Sequence, residues 1–591
     1  MEKVIDNLSR FRDWLDASQL DAFVIPHDDE FLGESIPEKN ERLRWITGFT
    51  GSEGIAVVTS RRAAIFTDGR YTIQVGNQVP TSEFELYPLV AKKYLEWLIS
   101  TLPAGGRVGF DPKTHRATWL AFIKKNLKKE YQLVPSSENP IDSLWSDRPT
   151  QNSSKIMLVP DSISGQSSQE KRGQVASRLR TMAADVGLIT QLDSICWLLN
   201  IRGSDIPRVP VILSYLFISS SGKIDFFLDE ERIPAGFLSH VGDNITVHSP
   251  PQIHNYLLEL KGKSVLFDAS NSNAWFQIQL KDVEADIVDG EDPCSLLKSV
   301  KNPTELTGMK ECHMRDGVAM VSFLHYLKNK VDEDVFLDEV VLSDRLENFR
   351  RQDPSFIDLS FDTISAVGSN AAMCHYDSST TPVNLEKNTF YLVDSGGHYR
   401  NGTTDITRTI SIGSPSAEMK KFFTLVLKGH IALATARFPY GTCGYQLDVL
   451  ARQYLWSEGY DFDHGTGHGV GHCLSVHEGP QQIGKLPKRA TLLPGMVVSN
   501  EPGYYCKDKF GIRIENLELI KEVKVSGEKA TLGLEPLTRC PIDITAIDHS
   551  LLDIHERDWI NVYHEKVWTD LVPLIEKKDV KYWLEHSTRP I

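Results

Sequence analysis

Residues 390–410 read FYLVDSGGHYRNGTTDITRTI, and this stretch decides how the C-terminal half of the chain folds. An apolar run ends at Asp394, and a Thr-rich run with alternating apolar residues begins at Asp405. Asn401-Gly402 between them is a turn signal, so the two runs are predicted to form a β-hairpin. Such a hairpin would bring the two carboxylates to one face of a sheet.

Three more residues of metal-binding type stand in similar surroundings further along the chain. Glu501 follows the apolar residues 496–500, and Glu515 lies in an alternating run, residues 512–519. His468 stands in HGTGHGVGH, residues 464–472, which contains too much glycine for a stable helix. All five side chains are therefore predicted at strands, strand edges or tight turns.

The charge of these side chains indicates metal ions. Four carboxylates held close together would repel one another, and some would take up protons instead of staying charged. Two divalent cations would cancel that repulsion, and a neutral imidazole could join the set without disturbing the balance. Oxygen-rich ligation with one nitrogen suits Mn²⁺, Co²⁺ or Zn²⁺ better than a metal that selects thiolates. The pattern therefore predicts a pair of divalent ions that can polarise a carbonyl.

The order Asp, Asp, His, Glu, Glu resembles that of the pita-bread metallopeptidases, which include methionine aminopeptidase, prolidase and aminopeptidase P. Within that family, HGTGHGVG at residues 464–471 and VHEGP at residues 476–480 resemble the three-domain, eukaryotic-type aminopeptidase P. The resemblance covers essentially the whole chain, including WINVYH at residues 559–564. One small departure is His472-Cys473, where smaller or aromatic residues are expected, and it affects no ligand.

The resemblance implies an enzyme that releases the N-terminal residue from peptides with proline in second place, written Xaa-Pro. A hydroxide bridging two metal ions would attack the scissile carbonyl, with Mn²⁺ as the first choice and Zn²⁺ or Co²⁺ as alternatives. Glu501 would serve both as a ligand and as the carboxylate that accepts the proton of the water. The metal ligands that the family order assigns are Asp394, Asp405, His468, Glu501 and Glu515.

Three histidines near the ligands match active-site histidines of the family by position, namely His375, His464 and His477. The resemblance implies that they act in catalysis, where they bind substrate or move protons. An unperturbed imidazole pKa of ~6.5 would suit either role at neutral pH.

Two arginines are further candidates for substrate binding. Arg513 stands two residues before Glu515 and so shares its strand face, where it is expected to hold a ligand carboxylate or contact substrate. Arg70, in FTDGRY at residues 66–71, is the weaker candidate and would act from the N-terminal part of the chain.

The pattern of helices and strands predicts three domains. Residues 1–150 and 151–298 each read as an α/β domain, and residues 299–591 read as an α+β pita-bread domain with a curved antiparallel sheet covered by helices. The second domain repeats the first, because WITGFTGS at residues 45–52 and WLLNIRGS at residues 197–204 share the spacing of tryptophan and glycine. Helices are predicted from Pro303 to about residue 331, after Ser414-Pro415, and over residues 444–459.

The composition of the chain narrows the range of binding partners and cellular compartments. The formal charge of −15 argues against nucleic acid or an anionic membrane, and no apolar run approaches the ~18 residues that span a bilayer. The eight cysteines are scattered without a CxxC pair, and the N-terminus lacks a signal-peptide core, so a cytoplasmic protein is expected. The resemblance also implies a homodimer.

Two other functions remain open from the sequence. A prolidase, which cleaves Xaa-Pro dipeptides, would share every ligand, although the two extra N-terminal domains favour aminopeptidase P. A pita-bread module that only binds peptides or histones would be of another class, but such relatives typically lack ligands. A creatinase-like enzyme is disfavoured because that branch works without metals.

Overall fold

The computed structural model describes residues 2–379 and 381–591 and divides into two compact units. The N-terminal unit comprises Met1–Pro160 and Gln166–Ser295, and the C-terminal unit comprises Asp161–Gly165 and Leu296–Ile591. Within these described ranges, no helix has both the length and the apolar character needed to cross a membrane.

The N-terminal unit contains two six-stranded sheets with the same topology. In each sheet, an inner strand pairs antiparallel with the strand on one side and parallel with the strand on the other. In spatial order, the first sheet contains Phe84–Pro88, Ala63–Thr67, Ile55–Thr59, Ala22–Pro26, Arg107–Phe110 and Gln132–Pro135. The second contains Ile245–His248, Ile224–Phe227, Tyr215–Ser219, Val186–Ile189, Ser264–Phe267 and Asp286–Asp289. The repeated spacing of tryptophan and glycine thus coincides with a repeated topology.

Helices cover both sheets, which gives the α/β architecture that the sequence predicts. The first sheet is accompanied by Glu2–Ala17, Arg42–Thr47, Thr72–Gln78, Ala91–Thr101, Ala117–Asn126 and Pro140–Leu144. The second is accompanied by Ser168–Thr181, Leu192–Leu199, Phe237–Val241, Ile253–Leu258 and Ala274–Asp282. The domain boundaries at residues 150 and 298 remain predictions.

The predicted hairpin lies at the centre of the C-terminal unit. The strand Thr389–Ser395 pairs antiparallel with Ile406–Ile412, and Asp394 stands opposite Thr407. Two short strands, Gly397–Tyr399 and Gly402–Thr403, pair with each other near the tip. The hairpin is therefore confirmed, and Asp405 lies one residue before its second long strand.

Of the remaining strands, Ile364–Val367 extends the hairpin to a three-stranded sheet, and the others form separate antiparallel sheets, the largest with six strands. This combination of antiparallel sheets and covering helices confirms the predicted fold class. The other strands are Phe356–Leu359, Ile364–Val367, Arg437–Pro439, Gly467–Gly469, Glu478–Ile483, Val497–Asn500, Gly503–Cys506, Phe510–Arg513, Asn516–Val523 and Thr531–Pro536. The main helices are Pro303–Asp332, Glu339–Arg350, Ala417–Ala434, Asp448–Trp456, Ile554–Leu571 and Lys578–Ser587. The largest core cluster packs helices such as Ala417–Ala434 and Ile554–Leu571 against the sheets.

Two helices differ in detail from the prediction. The helix expected after Ser414-Pro415 begins at Ala417, because the Ser416 hydroxyl, not Ser414, accepts the capping hydrogen bond from the Met419 N–H at 3.2 Å. The helix expected over residues 444–459 is a 3₁₀ turn followed by Asp448–Trp456.

The strand predicted over residues 512–519 is interrupted at Glu515, one of the predicted metal ligands. It pairs with one neighbour up to Arg513 and with another from Asn516. The Glu515 N–H donates instead to the Thr407 carbonyl at 3.1 Å. The change of partner places Glu515 in the gap between two strand pairs.

Candidate metal centre

The structure brings the five predicted ligands together at the ends of strands. Asp394 lies near the end of Thr389–Ser395, and Glu501 directly follows Val497–Asn500. His468 is the middle residue of the short strand Gly467–Gly469. Asp394 and His468 stand on paired strands, and the backbone N–H groups of Glu501 and Glu515 donate to the carbonyls of Thr466 and Thr407, so the sheets position these side chains.

The distances between side chains show a common cage. The Nε2 atom of His468 lies 3.5 Å from Oδ2 of Asp405 and 3.5 Å from Oε1 of Glu501. One ligand atom from each of Asp405, His468 and Glu515 lies within 4.8 Å of the other two. These side chains therefore face one small volume.

Most of the carboxylates have one oxygen held by the protein and one left bare. Oδ2 of Asp394 accepts from Arg513, and Oε2 of Glu515 accepts from the Thr407 hydroxyl at 2.9 Å. Three carboxylate oxygens of the cage are buried without a hydrogen-bond partner among the described residues, namely Oδ1 of Asp394, Oδ1 of Asp405 and Oε1 of Glu515. Buried oxygens are normally satisfied, so three unpaired carboxylate oxygens in one place fit a binding site for cations.

Proton affinity in the cage supports the same conclusion. Burial raises the pKa of Asp394, Glu501 and Glu515, and the charge of Asp405 adds to the rise in all three. The pKa of Glu501 reaches about 7. Burial and mutual repulsion therefore favour a proton or a bound cation on these three carboxylates.

The imidazole of His468 is oriented as a ligand. Its Nδ1–H donates to the Gly469 carbonyl at 2.8 Å, so Nε2 carries the lone pair that faces Asp405 and Glu501. Four carboxylates and one imidazole nitrogen fit two divalent cations of the Mn²⁺, Co²⁺ or Zn²⁺ type. The residues present therefore fit a dinuclear metal centre.

A network that the sequence did not reveal supports one edge of the cage. The Tyr505 hydroxyl lies 2.7 Å from Nε2 of His464 and accepts from Nη1 of Arg513 at 2.7 Å. Because Nδ1–H of His464 donates to the Gly465 carbonyl at 2.8 Å, Nε2 accepts from Tyr505. Tyr505 stands four residues after Glu501, and this period-two spacing was the one available signal.

The pKa of His464 differs from the value near neutrality that was expected. Burial lowers it well below the ordinary value, and the positive charge of Arg513 adds to the effect. His464 is therefore a neutral hydrogen-bonding group. His375 lies close enough to affect the pKa of His464, and the ring centroid of His477 is 4.3 Å from that of His468. All three predicted histidines thus lie at the centre.

The two arginines have different surroundings. Arg513 is buried and bonds Oδ2 of Asp394 through both Nε and Nη2, so its contacts are those of a group that holds a ligand. Arg70 lies in the N-terminal unit, where its guanidinium pairs with Asp68 at 2.7 Å and approaches Glu34 at 3.8 Å. A substrate contact by either arginine remains a prediction.

Comparison with family models covers nearly the whole chain. Residues 307–522 match the model of metallopeptidase family M24, and residues 530–591 match the model of its C-terminal region. Residues 7–144 and 147–305 each match a creatinase/prolidase N-terminal domain.

Full-length relatives share this arrangement. The probable Xaa-Pro aminopeptidase P of Aspergillus fumigatus is 38% identical over 99% of this chain and 92% of its own length. That of Paracoccidioides brasiliensis is 38% identical over 99% of this chain and 98% of its own length.

Solved structures separate two branches of the family. An X-prolyl aminopeptidase from Caenorhabditis elegans, described as a cytosolic enzyme with a di-nuclear active site, matches with a TM-score of 0.95 and 34% identity over 100% of both chains. An Xaa-Pro dipeptidase from Bacillus anthracis covers 64% of this chain and 99% of its own length, with a TM-score of 0.51 and 26% identity. With its ligand cage, paired N-terminal sheets and full-length relatives, the chain belongs to the aminopeptidase P branch of metallopeptidase family M24.

Proposed function

We propose that this chain is a metal-dependent aminopeptidase that removes the N-terminal residue from peptides with proline in second position. The observation that carries the proposal is the cage itself, in which bare carboxylate oxygens and the Nε2 lone pair of His468 face one volume. Relatives named for this activity match over 99% of the chain, which supports the choice of substrate.

The side chains divide the work of hydrolysis. When bound, two divalent ions supply Lewis-acid polarisation of the attacking water and of the scissile carbonyl. Glu501 is proposed to accept the proton of that water, since a carboxylate that holds a metal ion keeps a spare lone pair. His464 stays neutral, and its hydrogen bonds to the Gly465 carbonyl and the Tyr505 hydroxyl let it orient groups at the centre instead of supplying a charge. Asp394 is kept in place by Arg513.

The histidines at the centre are proposed to bind the peptide. His477 packs against His468, and His375 lies beside His464, so both can contact a substrate that approaches the metal ions. Arg70 is proposed to contribute from the N-terminal unit. Replacing His375 or His477 by Ala should lower turnover while both metal ions stay bound, and loss of metal would assign these residues to ligation.

The activity is tested against prolidase with matched peptides. The protein should hydrolyse a tripeptide Xaa-Pro-Pro quickly, an Xaa-Ala-Pro tripeptide slowly, and an Xaa-Pro dipeptide poorly. Faster turnover of the dipeptide than of the tripeptide would assign the chain to prolidase. The matched dipeptidase structure covers 64% of this chain, whereas the aminopeptidase P relatives match 99% of it, which favours the aminopeptidase.

We propose Mn²⁺ as the working metal, with Zn²⁺ and Co²⁺ as alternatives. The oxygen-rich ligand set supports this order, because carboxylates suit Mn²⁺. Protein stripped by a chelator should lose activity and regain it on titration with the metal, to a stoichiometry of two ions per chain. Failure to bind any of the three ions would favour a module that only binds peptides.

We also propose a cytoplasmic homodimer. The eight cysteines are free in the described structure, which supports a reducing compartment. In the C-terminal unit, an exposed apolar face at and around the helix Asp448–Trp456 supports association of two copies. Its exposed side chains are Tyr445, Val449, Trp456 and Tyr460. Val449→Asp should convert the dimer to monomers in analytical ultracentrifugation, and a wild-type protein that sediments as a monomer would refute the proposal.

A further inference from the structure

His430 is a buried histidine that has no part in the hydrolysis proposed above. It lies on the helix Ala417–Ala434 of the C-terminal unit, and its side chain is fully buried. Taking a polar ring out of water is unfavourable unless its nitrogens find hydrogen-bond partners. The partners of the two ring nitrogens therefore indicate what this side chain does.

Each ring nitrogen of His430 is bonded beside a predicted metal ligand. Nδ1 lies 3.0 Å from the carbonyl oxygen of Asn500, which directly precedes Glu501 in the chain. Nε2 lies 3.3 Å from Nδ2 of Asn516, which directly follows Glu515. One imidazole therefore connects the two residues that adjoin these ligands.

The directions of both hydrogen bonds follow from their partners. The Asn500 carbonyl can only accept, so Nδ1 of His430 carries the proton and donates. Oδ1 of Asn516 accepts from Nη2 of Arg408 at 2.9 Å, so Nδ2 is the donor and Nε2 of His430 accepts. Burial lowers the pKa of His430 to about 3, in agreement with this neutral form. The ring thus donates to one residue and accepts from the other.

These bonds lie where the pairing of two strands ends. Val497–Asn500 and Asn516–Val523 pair antiparallel, and Asn500 opposite Asn516 is the last pair of the ladder. The two glutamate ligands stand directly beyond this pair, so the ladder itself does not fix their spacing. Nδ2 of Asn500 also donates to the His430 carbonyl at 3.0 Å, so the side chain and the main chain of the helix residue both hold this strand end.

Packing alone does not explain a histidine at this position. The ring centroid of His430 lies 5.7 Å from that of Trp559, at an interplanar angle of 72°. A phenylalanine of similar size could make the same edge-to-face contact. The two ring nitrogens are what a phenylalanine would lack, and both are bonded beside a ligand. The hydrogen bonds therefore distinguish His430 from a residue that only fills space.

We propose that His430 is a positioning residue, which fixes the spacing of Glu501 and Glu515 and thereby raises the affinity of the metal centre. It acts through Asn500 and Asn516 and is not itself a ligand. The inference rests on the proposed dinuclear centre. Groups that hold a ligand in place typically contribute about ten- to a hundredfold to metal affinity or activity, and a group that acts through a neighbouring residue is expected at the lower end of this range.

The test measures Mn²⁺ binding to the metal-stripped, full-length protein by isothermal titration calorimetry. His430→Phe keeps a ring against Trp559 and removes both hydrogen bonds, so Mn²⁺ should bind about tenfold more weakly than to the wild type. His430→Gln is the milder change. One amide cannot reach both partners, so Mn²⁺ should bind about threefold more weakly to this variant.

The matched control is Thr424→Val on the same helix. Thr424 is also fully buried, and its hydroxyl donates to the Lys420 carbonyl and accepts from the Asp548 N–H, both at 2.8 Å. Its loss should lower the urea midpoint of the metal-free protein, as His430→Phe should, and leave the Mn²⁺ affinity as in the wild type.

Wild-type Mn²⁺ affinity in His430→Phe would overturn the proposal, and so would an equal loss of affinity in Thr424→Val. If His430→Phe does not fold, His430→Gln decides, and wild-type affinity in that variant would overturn the proposal as well. A wild-type protein that binds none of Mn²⁺, Zn²⁺ and Co²⁺ is a separate outcome, which would overturn the metal centre itself.

Discussion

Two sets of buried carboxylates in the C-terminal unit are satisfied in opposite ways. Glu339 is fully buried, and its oxygens accept hydrogen bonds from the N–H groups of Val367 and Val383 and from the side chains of Asn370 and Tyr376, between 2.7 and 2.9 Å. The carboxylates of the metal centre leave three oxygens buried without a donor. The protein fills the lone pairs of a carboxylate that stabilises the fold, and it leaves open those meant for a cation.

A third case shows that an open lone pair is not sufficient. Both oxygens of Glu518 are buried without a good hydrogen bond, three residues beyond the ligand Glu515. Burial raises the pKa of Glu518 well above its ordinary value, which favours the neutral, protonated form of this carboxyl over a bound cation. A cation site needs several carboxylates in one volume, and Glu518 is not among the residues that meet this condition.

The largest expected effect is that of Asp405→Asn, which tests whether the carboxylates without hydrogen-bond donors bind cations. The change removes one negative charge and one ligand, so metal occupancy and kcat/KM should fall together, with kcat/KM down at least about a thousandfold. By comparison, losing a residue that only hydrogen-bonds a metal ligand typically lowers metal affinity or activity by about ten- to a hundredfold. Metal content by mass spectrometry and the rate of peptide hydrolysis are the measurements. Full activity with two bound ions would remove Asp405 from the ligand set.

The second prediction concerns pH and the metal-free protein. Folding raises the pKa of Glu501 from 4.5 to about 7, so the folded state holds this proton more tightly than the unfolded chain does. The stability from this group is fully present below pH 4.5 and is lost as pH rises through about 7. The loss is on the order of 3 kcal/mol in the free energy of unfolding.

Urea unfolding at about pH 5 and about pH 8 measures this effect, with the metal-loaded protein as the control. The metal-free protein should lose stability relative to the loaded form as pH rises, because bound cations replace the protons. An equal pH dependence in both forms would show that Glu501 does not hold the extra proton.

The hairpin and the ligands were predictable because the signals are local. The alternation around Asp405 and the turn at Asn401-Gly402 fix the register of one strand pair, and that register positions Asp394. The contact of Tyr505 with His464 and Arg513 depends on two strands and a glycine-rich segment meeting in space. The even spacing of Tyr505 from Glu501 indicates a shared strand face, but no local signal specifies these contacts, so this part of the site could not be predicted from the sequence.

The third prediction concerns Glu339→Gln, which changes the carboxylate whose oxygens are fully hydrogen-bonded by the protein. The amide NH₂ would face groups that already donate, so one or two of the four hydrogen bonds should be lost. We expect a decrease of about 2 kcal/mol in the free energy of unfolding, with two metal ions still bound. Denaturant unfolding and metal analysis are the measurements, and Asp405→Asn is the matched variant. Loss of metal without loss of stability would contradict the structural role of Glu339.

The smallest expected effect is that of Tyr505→Phe. The Tyr505 hydroxyl links His464 to Arg513, whose side chain holds the predicted ligand Asp394. The hydroxyl of Tyr505 accepts from Arg513, which in turn holds Asp394. Without it, Arg513 keeps its bonds to Asp394, so both metal ions should stay bound, while His464 loses its donor and its fixed orientation. We expect kcat to fall about tenfold, as for an outer-shell partner, with a smaller change in KM.

His464→Ala separates the two contacts of this hydroxyl. If Tyr505 acts through His464, then kcat of the double variant should equal that of His464→Ala alone, because the interaction is already absent. If the two effects multiply instead, Tyr505 acts through Arg513, and the metal content of Tyr505→Phe should then fall as well. The double-mutant cycle therefore decides whether the Tyr505 hydroxyl acts by orienting His464 or by supporting Arg513 and the metal ligands.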